Sequence, residues 1–134
     1  LLAANLGDLP ASSEGARTPY APEYPLEALR EFVRNIAQHR QFDATHAPAR
    51  IEWYTDRIEF SNPGRPYGRA SEGEFEAQSD YRNPTVTRLL ARLGYVERLG
   101  RGIRLAGHLL RANGNPPLEA QTDGFTRVVV RRRP

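Results

Sequence analysis

The sequence predicts an α+β fold, a two-layer sandwich of helices on a mixed or antiparallel sheet. Three observations predict it. Leu26, Leu29, Val33, Ile36 and Ala37 recur at three- and four-residue steps, the spacing of one helix face. Ile51 and Trp53, then Ile58 and Phe60, alternate with polar residues on either side of Thr55-Asp56, the spacing of a half-buried hairpin. Asp123-Gly124 divides Leu118 to Gln121 from Phe125 to Arg132, a strong two-residue hairpin signal. Because helices and hairpins fall in separate runs, the class is α+β.

Taken in order, residues 1 to 23 mix Ala, Ser, Pro, Gly and Glu without period, the composition of a linker from an upstream domain. A domain over 24 to 134 follows. Its first helix runs from Pro25 to about Arg40, with Phe32 widening the apolar stripe and Pro25 at the first position, where a missing N–H does no harm. Two short strands occupy Arg50 to Ser61, and Asn62-Pro63-Gly64 ends the second, since proline lacks a ladder donor and glycine permits positive φ. A long polar loop reaches Arg82, with Glu74 to Gln78 suited to one helical turn. Asn83-Pro84 opens a second helix with Val86, Leu89, Leu90 and Leu93 inward and Gly94 as its stop. Gly100-Arg101-Gly102 opens a third, with Ile103, Ala106, Leu109 and Leu110 inward and Asn113-Gly114 closing it.

Composition narrows the chemistry. With 134 residues and 39% hydrophobic content there is material for one core. No cysteine means no disulfide, thiolate metal site or cysteine nucleophile. All 19 basic residues are arginine, which excludes a Walker-type phosphate loop and its lysine. There is no methionine, so the chain is expected to begin inside a longer protein. Asn5, Gly7 and Asp8 break the opening stretch, and no apolar run approaches the ~20 residues of a membrane span, so a cytoplasmic location without membrane association is expected. Residues 1 to 81 carry 8 arginines against 13 acids, and residues 82 to 134 carry 11 against 3. A split of this kind points to a polyanion as partner, or to arginines that simply solvate the surface.

Three constellations bear on function. Glu31, Asn35 and His39 lie at four-residue steps, so they drift only ~40° per step and line one side of the first helix. An Asn oxygen there suits magnesium, and a Glu can hold or activate water; a solvated helix face has the same spacing. Gly100-Arg101-Gly102 at a helix start, with Arg98 and Arg104 nearby, suits phosphate, because backbone N–H groups and guanidinium forks converge there. A plain turn between packed helices reads the same way. Asn62-Pro63-Gly64 places an amide where a purine edge can be read, and is equally a common turn. His46 and His108 have no ligand-spaced neighbours, and Ser61, Ser71 and Ser79 no nucleophile elbow.

Together these blocks resemble the C-terminal domain of the RecG-related DNA helicases and transcriptional regulators, which often follows a Schlafen-type AlbA domain. The matching residues run from Tyr24 to Glu31, then Asn35, His39-Arg40, Asp56 to Gly64, Arg82-Asn83-Pro84, and Leu93 to Ile103. The family is similar to GHKL ATPases, in which nucleotide lies between a helix bearing Glu and Asn and a sheet, under a lid. The resemblance implies Glu31 as the water-orienting acid and Asn35 as the magnesium ligand. It places His39 beside them, Asn62 and Gly64 at the adenine box, Gly100, Arg101 and Gly102 near the phosphates, and 65 to 82 as lid. The chain departs from the GHKL pattern in having Asn62 in place of aspartate, Pro66 in place of a glycine, and His39 where many members have aspartate.

The expected function is therefore a regulatory, ATP- and magnesium-binding domain of a bacterial DNA-associated regulator, at most a weak or degenerate ATPase. Arg98, Arg101 and Arg104 are its DNA-contact candidates. Two rivals stand beside it: a winged-helix-like DNA-binding module with the Asp123-Gly124 hairpin as wing, and a structural dimerisation domain forming a homodimer without nucleotide.

Overall fold

The computed structural model describes residues 21–43, 46–68, 81–95 and 101–134. Among them the elements run α1 (Leu26–His39), β1 (Arg50–Trp53), β2 (Arg57–Pro63), α2 (Pro84–Arg92), α3 (Gly102–Asn113), β3 (Glu119–Gln121) and β4 (Phe125–Arg131). The strands form one antiparallel sheet in the order β1-β2-β4-β3. The Asp123-Gly124 hairpin therefore brings β4 to the sheet interior, paired with β2 from Arg57↔Arg131 to Pro63↔Phe125. A wing projects from its domain, and this hairpin does not, so the winged-helix reading is set aside.

Alternation along the central strands assigns the two faces. Ile58 and Phe60 on β2, and Val128 and Val130 on β4, join Ala28, Leu29 and Phe32 of α1 and Ile103, Ala106 and Leu110 of α3 in one apolar cluster. Phe32 and Phe60 stack with centroids 5.1 Å apart. Leu29, Ala106, Leu110 and Val130 are fully buried, and burying a side chain of Leu or Val size is worth roughly 1.5–3 kcal/mol. α2 differs from expectation. Thr87 is its buried residue, with its hydroxyl donating back to the Asn83 carbonyl at 3.1 Å, whereas Leu89 and Leu93 are more than half exposed. Its apolar stripe does not face the core.

The fold takes hold before the composition changes. Tyr24 is buried edge-on against Trp53, and the carbonyls of Pro22 and Glu23 accept from Asn113 and Asn115 at 2.8 Å each. Asn115 also reaches the Arg131 carbonyl at 3.0 Å. Gly114, in the left-handed region at φ 84, closes α3 and turns the chain into this junction. Pro25 sits at the cap position of α1 rather than one residue inside, and its carbonyl accepts from Ala28 and Leu29. Among the described residues no helix is long and apolar enough to cross a membrane.

Candidate functional site

The polar line on α1 and the start of α3 meet. Glu31 pairs through one carboxylate oxygen with Arg34, and its other oxygen lies 2.7 Å from where a Cβ on Gly102 would stand. A Cβ at Gly102 would make the Glu31 carboxylate swing aside. A carboxylate is favoured there by the partial positive charge of the helix start. Asn35, one turn further along α1, is half-buried and makes no side-chain hydrogen bond among the described residues. Its amide is available to a ligand.

His39, at the end of the line, is different. Its ring stacks on Tyr81 with centroids 5.6 Å apart, and burial first, then the Arg82 charge, lower its pKa to about 4. The imidazole is neutral at pH 7. It can offer a phosphate a hydrogen bond but no charge.

The C-terminal end of α1 is organised by amides. Asn62, buried on β2, donates through Nδ2 to the Ile36 carbonyl at 3.1 Å, while its Oδ1 is buried without a partner. Asn83 donates through Nδ2 to the Arg40 carbonyl at 2.7 Å and the Ala37 carbonyl at 3.4 Å, and its backbone N–H donates to the Gln38 carbonyl at 3.1 Å. The last carbonyls of a helix have no partner within it, and here β2 and the entry to α2 supply them. Asn83 was expected to cap α2 with its side chain; it caps the C-terminus of α1 instead. Gly64 has φ 96, and a Cβ there would stand 2.7 Å from Gln41 Oε1 and 2.9 Å from Gln41 Cβ. Glycine is thus required by the chain's own packing, and Gln41 occupies the space beside it.

Arg101 and Arg104 are exposed at the start of α3. Gly100 and Arg98 lie outside the described residues, as does the turn expected at Glu74 to Gln78. The ends of the expected lid are joined: Arg82 donates to the Arg65 carbonyl at 2.9 Å and its guanidinium stands 5.0 Å over the Tyr67 ring. Among the described residues no group of three or more His, Cys, Asp and Glu could hold a metal. Sequence reasoning missed Gln41 and the capping role of Asn83, because both act on backbone groups brought near only by folding.

Among the described residues, three helices packed on a four-stranded antiparallel sheet form an α+β fold of GHKL-like type. A family model described as "Putative ATP-dependent DNA helicase recG C-terminal" matches residues 46–130, and the chain belongs to that family. Among solved structures, the DIP2311 protein from Corynebacterium diphtheriae is similar, with 26% identity and a TM-score of 0.73 over 84% of this chain. The match covers 24% of that protein, so this chain spans about a quarter of its length. No curated protein matches.

Proposed function

We propose that the cleft between α1 and the start of α3 receives the phosphate end of a nucleotide with magnesium, in a regulatory domain of a bacterial, cytoplasmic, DNA-associated protein. The observation that carries this is the contact of Glu31 with Gly102: the α1 acid and a glycine-started helix share one edge of the cleft. The residues fit the group. Asn35 has an unengaged amide for magnesium, Gly102 leaves the α3 start unobstructed by a Cβ, and the buried Asn62 Oδ1 is an acceptor for an exocyclic amino group. Bound magnesium would supply positive charge to the phosphates. Arg34 shares the Glu31 carboxylate, leaving less of it to hold a water, and this favours binding over rapid turnover.

Thermal melts with ATP and magnesium test the reading. At a ligand concentration 100-fold above Kd the stabilisation is about 2.7 kcal/mol, and Asn35→Ala removes it. An unshifted melt of the parent chain at millimolar ATP overturns the proposal. DNA contact is favoured separately by Arg101 and Arg104, exposed and without ion pairs among the described residues. Binding that weakens steeply with salt, and weakens further in Arg101→Ala, supports it.

A further inference from the structure

The face of the sheet turned away from the helices carries a second candidate site. Strand register aligns Arg50 on β1, Ser61 on β2 and Arg127 on β4 in one row across three strands. All three alternate with Ile51, Phe60 and Val128, of which Phe60 and Val128 lie in the core, so they share the helix-distal face. They line a cavity of about 430 Å³, within the range of small-molecule pockets. Pro48, Pro63 and Phe125 contribute its apolar walls.

The chain itself leaves this row incompletely satisfied. The Ser61 hydroxyl is buried with no hydrogen-bond partner. Arg127 Nε is likewise buried without a hydrogen bond, its guanidinium lying 5.0 Å over the Phe125 ring and forming a loose ion pair with Glu59, 3.6 Å from Oε2. A buried donor of this kind is unfavourable without a partner. Arg50 is exposed and makes no ion pair among the described residues, so its guanidinium can meet a ligand. Arg50 and Arg127 stand on the strands either side of Ser61, neighbouring strands being ~4.8 Å apart, and all three line the cavity. Two forked cations and a hydroxyl on one cavity wall suit the terminal oxygens of a phosphate monoester. Glu52, in the next row, also lines the cavity and faces Glu59 across the strands. It would repel a second anionic group and accept a donor from the ligand body.

We propose that this cavity binds a phosphate monoester, held by Arg50, Arg127 and Ser61 on the helix-distal face, at a site that adjoins Gln41, Asn62 and Gly64 but is remote from Glu31 and Gly102. Two sources present this chemistry, a free mononucleotide and the 5′-phosphate of a nucleic-acid strand. Backbone amide NMR of the chain, titrated first with phenyl phosphate, reads the site directly. The expected result is a saturable shift at Ser61, Phe125 and Arg127. Arg50→Ala then weakens binding about tenfold or more, the loss of one charge-assisted contact, and Ser61→Ala weakens it less. Asn35→Ala leaves it unchanged, which separates this site from the nucleotide cleft. Unperturbed spectra of the free variants show that they are folded. Adenosine monophosphate, a 5′-phosphorylated trinucleotide and its unphosphorylated counterpart then identify the source: a free nucleotide if only the first competes with phenyl phosphate, a strand end if the second competes and the third does not. Absence of shifts at Ser61 and Arg127 overturns the proposal. So do shifts that spread equally to Arg101 and Arg104 and persist in Arg50→Ala, since they indicate general attraction to arginine.

Discussion

Ile58, Phe60 and Asn62 alternate along β2 with Glu59, Ser61 and Pro63, and the two sets meet opposite surroundings. The first set faces the helices, where Phe60 lies against Phe32 and Ile58 is fully buried. The second faces away, yet Glu59 there is 8% exposed and Val129 opposite it 5%. What covers them is guanidinium: Arg57 Nε bonds Glu59 at 2.6 Å, Arg127 approaches its other oxygen, and Arg131 bonds Glu119 at 2.6 Å beside them. The arginine stems lie along the strands and their heads, partly exposed, pair with the carboxylates beneath. One face is closed by apolar contact, and the other by ion pairs laid over the strands. Burial alone therefore does not say which physics produced it.

The largest expected effect lies on the inner face. Phe60→Ala should lower stability by about 3–5 kcal/mol, through lost transfer energy and the cavity left behind, as read from urea unfolding. A loss near 1 kcal/mol would mean that the helices carry the core without the sheet. On the outer face Glu59→Ala should cost about 1–2 kcal/mol, less because its guanidinium partners reach solvent. Raising the salt concentration should shrink that difference and leave the Phe60 effect in place.

His39 gives the next test. Its folded pKa of about 4 lies below the ordinary value of 6.5, so between those limits the unfolded chain binds a proton that the folded chain refuses. Stability then falls as pH falls, by up to about 1 kcal/mol per pH unit from this group, and is flat in this respect above 6.5. His39→Gln should flatten the difference between pH 6.5 and 5. A parent and variant with parallel profiles would contradict the assignment. The smallest effect belongs to the exposed pair of Arg131 and Glu119, where Glu119→Ala should leave the melting temperature unchanged within error.

The inner face was legible because hydropathy has a period: the alternation of Ile58 and Phe60 and the three-and-four spacing from Leu26 to Ala37 locate strand and helix without coordinates. The outer face was not, because Glu59 looks like any exposed strand residue until β4 brings Arg127 alongside. The charge split along the sequence shares this origin. Arg127, Arg131 and Arg132 belong to the basic half, but they contact Glu59, Asp56 and Glu23 of the acidic half. Three of the eleven arginines in the basic half are thus engaged in internal pairs. α2 shows the converse, since a helical stripe was legible in Leu89 and Leu93 although the core does not use it. Of the proposed nucleotide site, Glu31 and Asn35 stand at helical spacing and Gly102 at a helix start, and both patterns are visible in the sequence. Gln41 carries no pattern at all, being defined by its approach to Gly64.

The amides of Asn62 and Asn83 fasten the tail of α1 to the sheet and to the entry of α2. Because Asn62 stands on β2 and Asn83 at the entry of α2, the end of α1 is tied to two elements at once, and displacing it would disturb the sheet and α2 together.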